Sequence, residues 1–219
     1  MLKKLFLLVA LLFIVAVPAS PAGAEGNTAE AKVQEILERY RHNEAVHQLL
    51  LVGHHDVFEA DITLYEKVSG EWQKTMECAG FVGKNGIDKE REGDGRTPTG
   101  EFTFTGTFGI CADPGANLPY TPITADHYFC GDDRYYNQLI NIKDKPHDCS
   151  GEHMIEHDVA YRYGLMIDFN PENIYGRGSA ILIHCRTEDE YTAGCVAMPE
   201  ENILHLLRTV TPGAKIAIY

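Results

Sequence analysis

From Gly80 to Gly115 the chain is so dense in Gly, Thr and Pro that no helix can run through it. The segment Gly93-Asp94-Gly95-Arg96-Thr97-Pro98-Thr99-Gly100 alone would break one, because Gly loses the most backbone freedom and Pro lacks a ladder donor. Such a stretch joins short strands, and its flanks agree. Residues 48–52 form a short apolar run, residues 61–67 alternate, Ser69-Gly70 supplies a hairpin turn, and residues 72–79 return as the next strand. Residues 101–104, 163–169 and 179–184 are further strand candidates. Two helices frame them. Asn27-Thr28-Ala29-Glu30 offers an N-cap with an acid following, and Val33, Ile36, Leu37 and Tyr40 predict a helix from about Thr28 into the forties. Pro199, Glu200 and Glu201 open a second helix with Ile203, Leu206, Leu207 and Val210 on one face; Pro212-Gly213 stops it, and residues 215–219 close the chain as a strand. The reading is a mostly β fold with peripheral helices and no internal repeat.

The N-terminus begins Met1-Leu2-Lys3-Lys4, continues as an unbroken apolar run over residues 5–17, and reaches Pro18 and the small residues Ala22-Gly23-Ala24. This is the pattern of a secretory signal peptide cleaved after Ala24. The competing reading, an uncleaved anchor, fails on length, since a bilayer needs roughly 20 apolar residues. The expected organisation is a signal peptide over 1–24, a helical segment over 25–47 and one domain over 48–219. The mature protein is then secreted, with no membrane span and acting as a monomer.

Cleavage removes two of 19 basic residues and none of 32 acidic ones, leaving 17 − 32 = −15. Nucleic acid is excluded as a partner, because phosphate binding needs basic patches, whereas an amine-bearing substrate suits this charge. All six cysteines, at 78, 111, 130, 149, 185 and 195, lie in the mature chain. Export permits disulfides, but spacing does not assign them.

The strand over 179–184 ends on His184, and a polar loop then leads to Thr192-Ala193-Gly194-Cys195-Val196-Ala197-Met198. A strand end holds a side chain rigidly, and Gly beside Cys lets the backbone turn its amides toward whatever the sulfur attacks. A thiolate nucleophile, with an imidazole that takes its proton and returns it to a leaving amine, suits acyl transfer. By itself the pair reads more simply as a buried thiol and a satisfied strand-end His.

The surroundings alter that balance. His184, its loop and Thr192-Ala193-Gly194-Cys195-Val196 resemble the active-site segment of the L,D-transpeptidase catalytic-domain family. So do Gly80-Phe81-Val82-Gly83-Lys84-Asn85-Gly86, the Gly93–Gly100 segment, Tyr135-Tyr136-Asn137-Gln138, Tyr163-Gly164-Leu165-Met166-Ile167-Asp168-Phe169-Asn170 and Gly176-Arg177-Gly178-Ser179-Ala180, in conserved order over residues 48–219. The resemblance implies a β-sandwich of mixed sheets, preceded by a short helix and closed by a helix and a strand. It also implies a peptidoglycan enzyme. Cys195 attacks the carbonyl before the terminal D-Ala of a tetrapeptide stem, D-Ala leaves, and an amine from a neighbouring stem resolves the thioester into a 3→3 cross-link. Water as acceptor would make a carboxypeptidase. Carried over, Cys195 is the nucleophile, His184 the general acid/base, and the amides of Gly194 and Cys195 the oxyanion donors. No cofactor is implied, since this chemistry supplies its own nucleophile, base and donors.

Two departures stand out. Many members carry His before the Gly and Arg two residues after the Cys, where this chain has Ala193 and Ala197. Arg186, Arg134 and Arg177 are candidate stand-ins for that Arg, and Thr192 and His153 are weaker candidates for substrate contact. The His184–Cys195 loop is also short for the family and carries Glu188-Asp189-Glu190. It reads as a solvated loop, the sharper alternative being that it attracts the acceptor ammonium and raises the Cys195 pKa. Two competing classes remain. A zinc peptidase would draw on His153 and His157 with His54, His55 or Asp168, but His153-Met154-Ile155-Glu156-His157 is not the metalloprotease spacing, and no metal is expected. A non-catalytic wall-binding protein is the other, and it would need neither Cys195 nor His184.

Overall fold

A computed structural model of the chain describes residues 22–219, with side chains from residue 28 onward; apart from the backbone of residues 22–24, the expected signal peptide lies outside the described residues. The elements run in chain order as α1 (Ala22–Arg39), β1 (Gln48–Asp56), β2 (Glu59–Val68), β3 (Glu71–Phe81), β4 (Gly100–Gly109), β5 (Tyr120–Pro122), β6 (His127–Cys130), β7 (Gln138–Asn141) and β8 (Gly151–His153). Two 3-10 turns (Met154–Glu156 and Ala160–Arg162) lead into β9 (Gly164–Ile167), β10 (Leu182–Cys185), β11 (Val196–Met198), α2 (Glu200–Thr209) and β12 (Lys215–Ile218). None of the described helices is long and apolar enough to cross a membrane.

The large sheet has the order β12-β1-β2-β3-β11-β10-β9-β4-β5, and β12 also pairs with β4. Residues 100–103 of β4 meet β12, while residues 104–108 meet β9, so the sheet closes on itself. The mostly β fold of mixed sheets expected from the sequence is what forms; the two walls of the sandwich are one continuous barrel-like sheet. A separate three-stranded sheet, β7-β6-β8, packs beside it.

Local sequence accounts for most of these elements. The β2–β3 hairpin turns at Ser69-Gly70, both with positive φ, and keeps register from Val68 opposite Glu71 to Glu59 opposite Phe81, with one irregularity at Leu64/Tyr65. Helix α1 buries Ile36, Leu37 and, just beyond its end, Tyr40 against Leu49, Leu51 and Ala217. It stops at Arg39 rather than in the forties: the chain turns there, the carbonyls of Tyr40 and Asn43 accepting the N–H groups of Asn43 and Val46 and also the Lys67 ammonium, at 3.0 Å each. The strand expected from residue 179 begins only at Leu182, since Ala180 sits at φ +52° with its N–H donated to Asn137 Oδ1 at 3.1 Å. Strands β5 to β8 lie in the Tyr120–His153 region, where no periodicity announces them, and a Cys130–Cys149 disulfide ties the end of β6 to the approach of β8.

The barrel interior is filled by Leu50, Val52, Ile62, Leu64, Leu165, Ile183, Val196, Met198 and Ile216, joined by Ile203, Leu206 and Leu207 of α2. A second cluster, with Phe108, Phe129, Met154, Tyr161, Leu182 and Cys195, lies between the barrel wall and the small sheet. Ile183 is fully buried at the wall between the two. Truncating it to Ala should cost about 2–5 kcal/mol and lower the thermal midpoint by roughly 5–15 °C. Circular dichroism melts of wild type and Ile183→Ala measure this, and a shift of under about 2 °C would contradict the packing described.

Candidate active site

Strands β10 and β11 are parallel neighbours, with Ile183 opposite Val196 and His184 opposite Ala197. Side chains alternate along a strand, so while Ile183 and Val196 enter the barrel, His184 and Cys195 share the outer face one pleat repeat apart. That face is covered by the second cluster, and both residues are buried, each 8% exposed. The connection between the strands is short for a parallel pair. It reaches out to the end of β3, where Thr192 N–H donates to Val82 O and Lys84 N–H to Thr192 O, each at 2.9 Å, and then turns back.

Two threonines fix the turn. Thr192 Oγ1 donates to Cys195 O at 2.7 Å and accepts the Gly194 N–H at 3.1 Å. Thr97 Oγ1 donates to the same carbonyl at 3.2 Å and accepts the Gly83 N–H at 2.8 Å. Gly194 adopts φ +154°, and a Cβ there would lie 2.8 Å from Arg96 O, so only glycine fits.

The sulfur of Cys195 donates to Ala180 O at 3.1 Å and accepts the Leu182 N–H at 3.4 Å. Burial pushes the thiol up to about 12, reinforced by the Glu152 charge and opposed by the Leu182 N–H and the Lys89 charge. His184 Nδ1 lies 2.9 Å from Cys185 O. A carbonyl only accepts, so Nδ1 carries the proton and Nε2 presents a lone pair. Burial drives the imidazole down to about 4, against the effect of the Cys185 carbonyl and with that of His157. The two groups do not hydrogen-bond to each other in this state, and both are neutral at neutral pH. The resting site is therefore a thiol beside an imidazole, not a thiolate–imidazolium pair.

Cys195, Gly194 and Ala180 line a cavity of about 300 Å³ together with Lys89, Glu92 and Glu152. Glu152 accepts the hydroxyl of buried Tyr161, whose ring meets that of His184 edge-on at 5.6 Å. Glu92 accepts the hydroxyls of Tyr136 and, at 2.7 Å, Ser179. Lys89 is paired with Asp94 at 2.8 Å, their side chains 2% and 7% exposed.

Of the residues singled out in the sequence, Cys195, His184, Gly194 and Thr192 come together. Thr192 acts on the backbone of the turn, and the Gly194 N–H is already given to its hydroxyl, so of the two amides these bonds leave only the Cys195 N–H over. Arg186, Arg134 and Arg177 are exposed and outside the cavity; the first two lie over the rings of Phe81 and Tyr135. His153 is held by Ala125 O at 2.8 Å, Glu156 at 3.0 Å and a stacked Tyr128 ring, and does not line the cavity either. Glu188, Asp189 and Glu190 are exposed, and the acid that acts on Cys195 is Glu152. The histidines of the zinc reading do not converge. Among the described residues the cluster with metal-ligand geometry is Cys130, Asp132 and Cys149, whose two sulfurs are joined in the disulfide. Sequence reading missed Lys89, Glu92, Glu152, Tyr161 and Thr97; the one signal available was that Thr97 sits in the Gly93–Gly100 segment.

Fold and site together define a class: mostly β domains that carry a buried Cys and His on one outer wall of a closed mixed sheet. A family described as the L,D-transpeptidase catalytic domain (YkuD) matches residues 62–218. The chain belongs to this family. No curated protein matches it. Similar solved structures include Bd1075 of Bdellovibrio bacteriovorus, at 15% identity and TM-score 0.44, covering 80% of this chain and 48% of that one. The helical cell shape determining protein Pgp2 of Campylobacter jejuni aligns at 13% identity and TM-score 0.42, covering 84% and 54%. The Ldtfm-avibactam carbamoyl enzyme aligns at 12% and 0.38, covering 80% and 49%. The chain thus spans about half the length of these proteins.

The His184 environment has a consequence for stability. Its folded pKa, about 4, lies below the ordinary value of 6.5, so the unfolded chain binds the proton more readily between these pH values. Stability from this group is full above pH 6.5 and is lost as pH falls toward 4. Urea midpoints measured across that range should fall more steeply for wild type than for His184→Gln. Equal slopes would show that His184 is not held neutral by burial.

Proposed function

We propose that this protein is an extracytoplasmic peptidoglycan L,D-transpeptidase, exported by the signal peptide over residues 1–24, with Cys195 as nucleophile and His184 as general acid/base. The observation that carries this reading is a buried Cys and His on one face of the barrel wall, with Cys195 lining a cavity, in a chain of the L,D-transpeptidase family. In this scheme the stem peptide displaces the Ala180 carbonyl from the thiol. Sulfur forms a bond to the carbonyl carbon before the terminal D-Ala, and the thiol proton passes to the free Nε2 of His184. The oxyanion takes the Cys195 N–H. Collapse breaks the amide bond, D-Ala leaves with the proton from His184, and a thioester remains on Cys195. An incoming amine then gives its proton to His184 and forms the new amide, restoring the thiol.

Glu92 and Glu152 in the cavity, two carboxylates beside the Lys89–Asp94 ion pair, favour an ammonium-bearing acceptor over water, because their net negative charge raises the local concentration of a cation. Incubation with a disaccharide-tetrapeptide, followed by mass spectrometry of the products, tests the reading. The expected product is a cross-linked dimer lacking one D-Ala, absent with Cys195→Ala and formed about 10²–10⁴-fold more slowly with His184→Gln. A tripeptide alone would make water the acceptor. Products that survive Cys195→Ala would falsify the assignment of the nucleophile.

A further inference from the structure

Burial makes Cys195 harder to ionise, and the carboxylate of Glu152 on β8 makes it harder still. Against this stand the Leu182 N–H and, in the cavity, the charge of Lys89. Lys89 enters from the loop before β4, and its arm runs between two glycines. A Cβ on Gly178, at φ +123°, would lie 2.5 Å from Lys89 Cε, and a Cβ on Gly194 would lie 3.5 Å from Lys89 Nζ. Any side chain at Gly178 would therefore displace the lysine, and the ammonium stops beside the residue that precedes the nucleophile. Its partner Asp94 also accepts the N–H groups of Glu90 (2.8 Å), Arg91 (3.1 Å) and Arg96 (3.0 Å). Burial raises the Asp94 carboxyl, but the Lys89 ammonium and these three N–H groups outweigh it and hold it well below the usual range. Asp94 therefore stays ionised and anchors Lys89 through Oδ1, with three backbone N–H groups on the same carboxylate. Asp94 is also the sole hydrogen-bond partner of Lys89 Nζ among the described residues, so the remaining ammonium protons are unspent.

We propose that Lys89, anchored by Asp94 and threaded between Gly178 and Gly194, is the positioning residue whose charge stabilises the anionic sulfur of Cys195. The proposal rests on Cys195 being the nucleophile of the reaction above. It also supplies a buried cation in the cavity that none of the arginines provides. Other titratable groups at the sulfur or its cavity are Glu152, Glu92 and Tyr161, with His184 behind the Tyr161 ring; His184 is neutral, Tyr161 is held protonated by burial, and the two carboxylates oppose Lys89.

The test is carboxamidomethylation of Cys195 by iodoacetamide in the substrate-free protein between pH 7 and 10, read from the mass of the Cys195 peptide. In this step sulfur bonds to the methylene carbon, iodide leaves, and the thiol proton goes to solvent, so the rate follows the thiolate fraction. Lys89→Met removes the charge, and Lys89→Gln removes it while keeping an N–H for Asp94. Each should slow alkylation at a given pH by about tenfold or more, one pKa unit being a factor of ten. Lys89→Arg should retain most of the rate. The proposal is overturned if either neutral variant is folded, by its melting curve, and alkylates at the wild-type rate, or if Lys89→Arg is as slow as the neutral variants. Because no stem peptide is present, a wild type that alkylates with this dependence on Lys89 but makes no cross-link would sink the proposed reaction and leave the role of Lys89 standing.

Discussion

Closure of the large sheet is the constraint on which the rest depends. It is made where residues 100–103 of β4 meet residues 215–218 of β12, the last strand of the chain. A closed sheet presents no free edge along this circuit and cannot shear without breaking ladder bonds, so its outer wall is a rigid platform. Strands β10 and β11 belong to that wall, and their parallel register sets where His184 and Cys195 lie relative to each other. Thr97 and Thr192, meeting on the Cys195 carbonyl, extend the same rigidity to the turn that carries Cys195.

The cost of such a platform is electrostatic. Taking a thiol and an imidazole out of water disfavours the charged form of each, which is why Cys195 is pushed up and His184 down. The resting site gives the sulfur and the imidazole Nδ1 neutral partners: Ala180 O and the Leu182 N–H for the sulfur, and Cys185 O for Nδ1. Ionisation then belongs to the reaction rather than to the resting state. The paired charges of Lys89 and Asp94 lie buried beside the site, with Asp94 held by backbone N–H groups of the loop before β4.

What the sequence made legible follows from how local each feature is. The β2–β3 hairpin and α2 are encoded by adjacent turn formers and by one periodic face, and both appear where expected. Cys195 and His184 lie within one short segment whose local features alone read as a buried thiol and a satisfied His; the family-like segments around it singled the pair out. The β6–β7–β8 sheet was not, since strands of three or four residues carry too little alternation, and a disulfide and packing on the barrel hold them. Lys89, Glu92 and Glu152 escaped for a similar reason: they reach the cavity from the loop before β4 and from β8, and nothing in their own neighbourhoods marks them. The arginines failed as stand-ins because residue type was the only clue, and their surroundings turn them to solvent.

The central claim is that Cys195 carries the acyl group between donor and acceptor. Mixing the protein with a disaccharide-tetrapeptide, quenching in acid within the first turnovers, and mapping the intact and digested masses would detect that group directly. The account predicts an adduct equal to the donor less D-Ala, confined to the Cys195 peptide and released by hydroxylamine. Cleavage of the donor with no adduct on Cys195, or with the adduct on another residue, would contradict it.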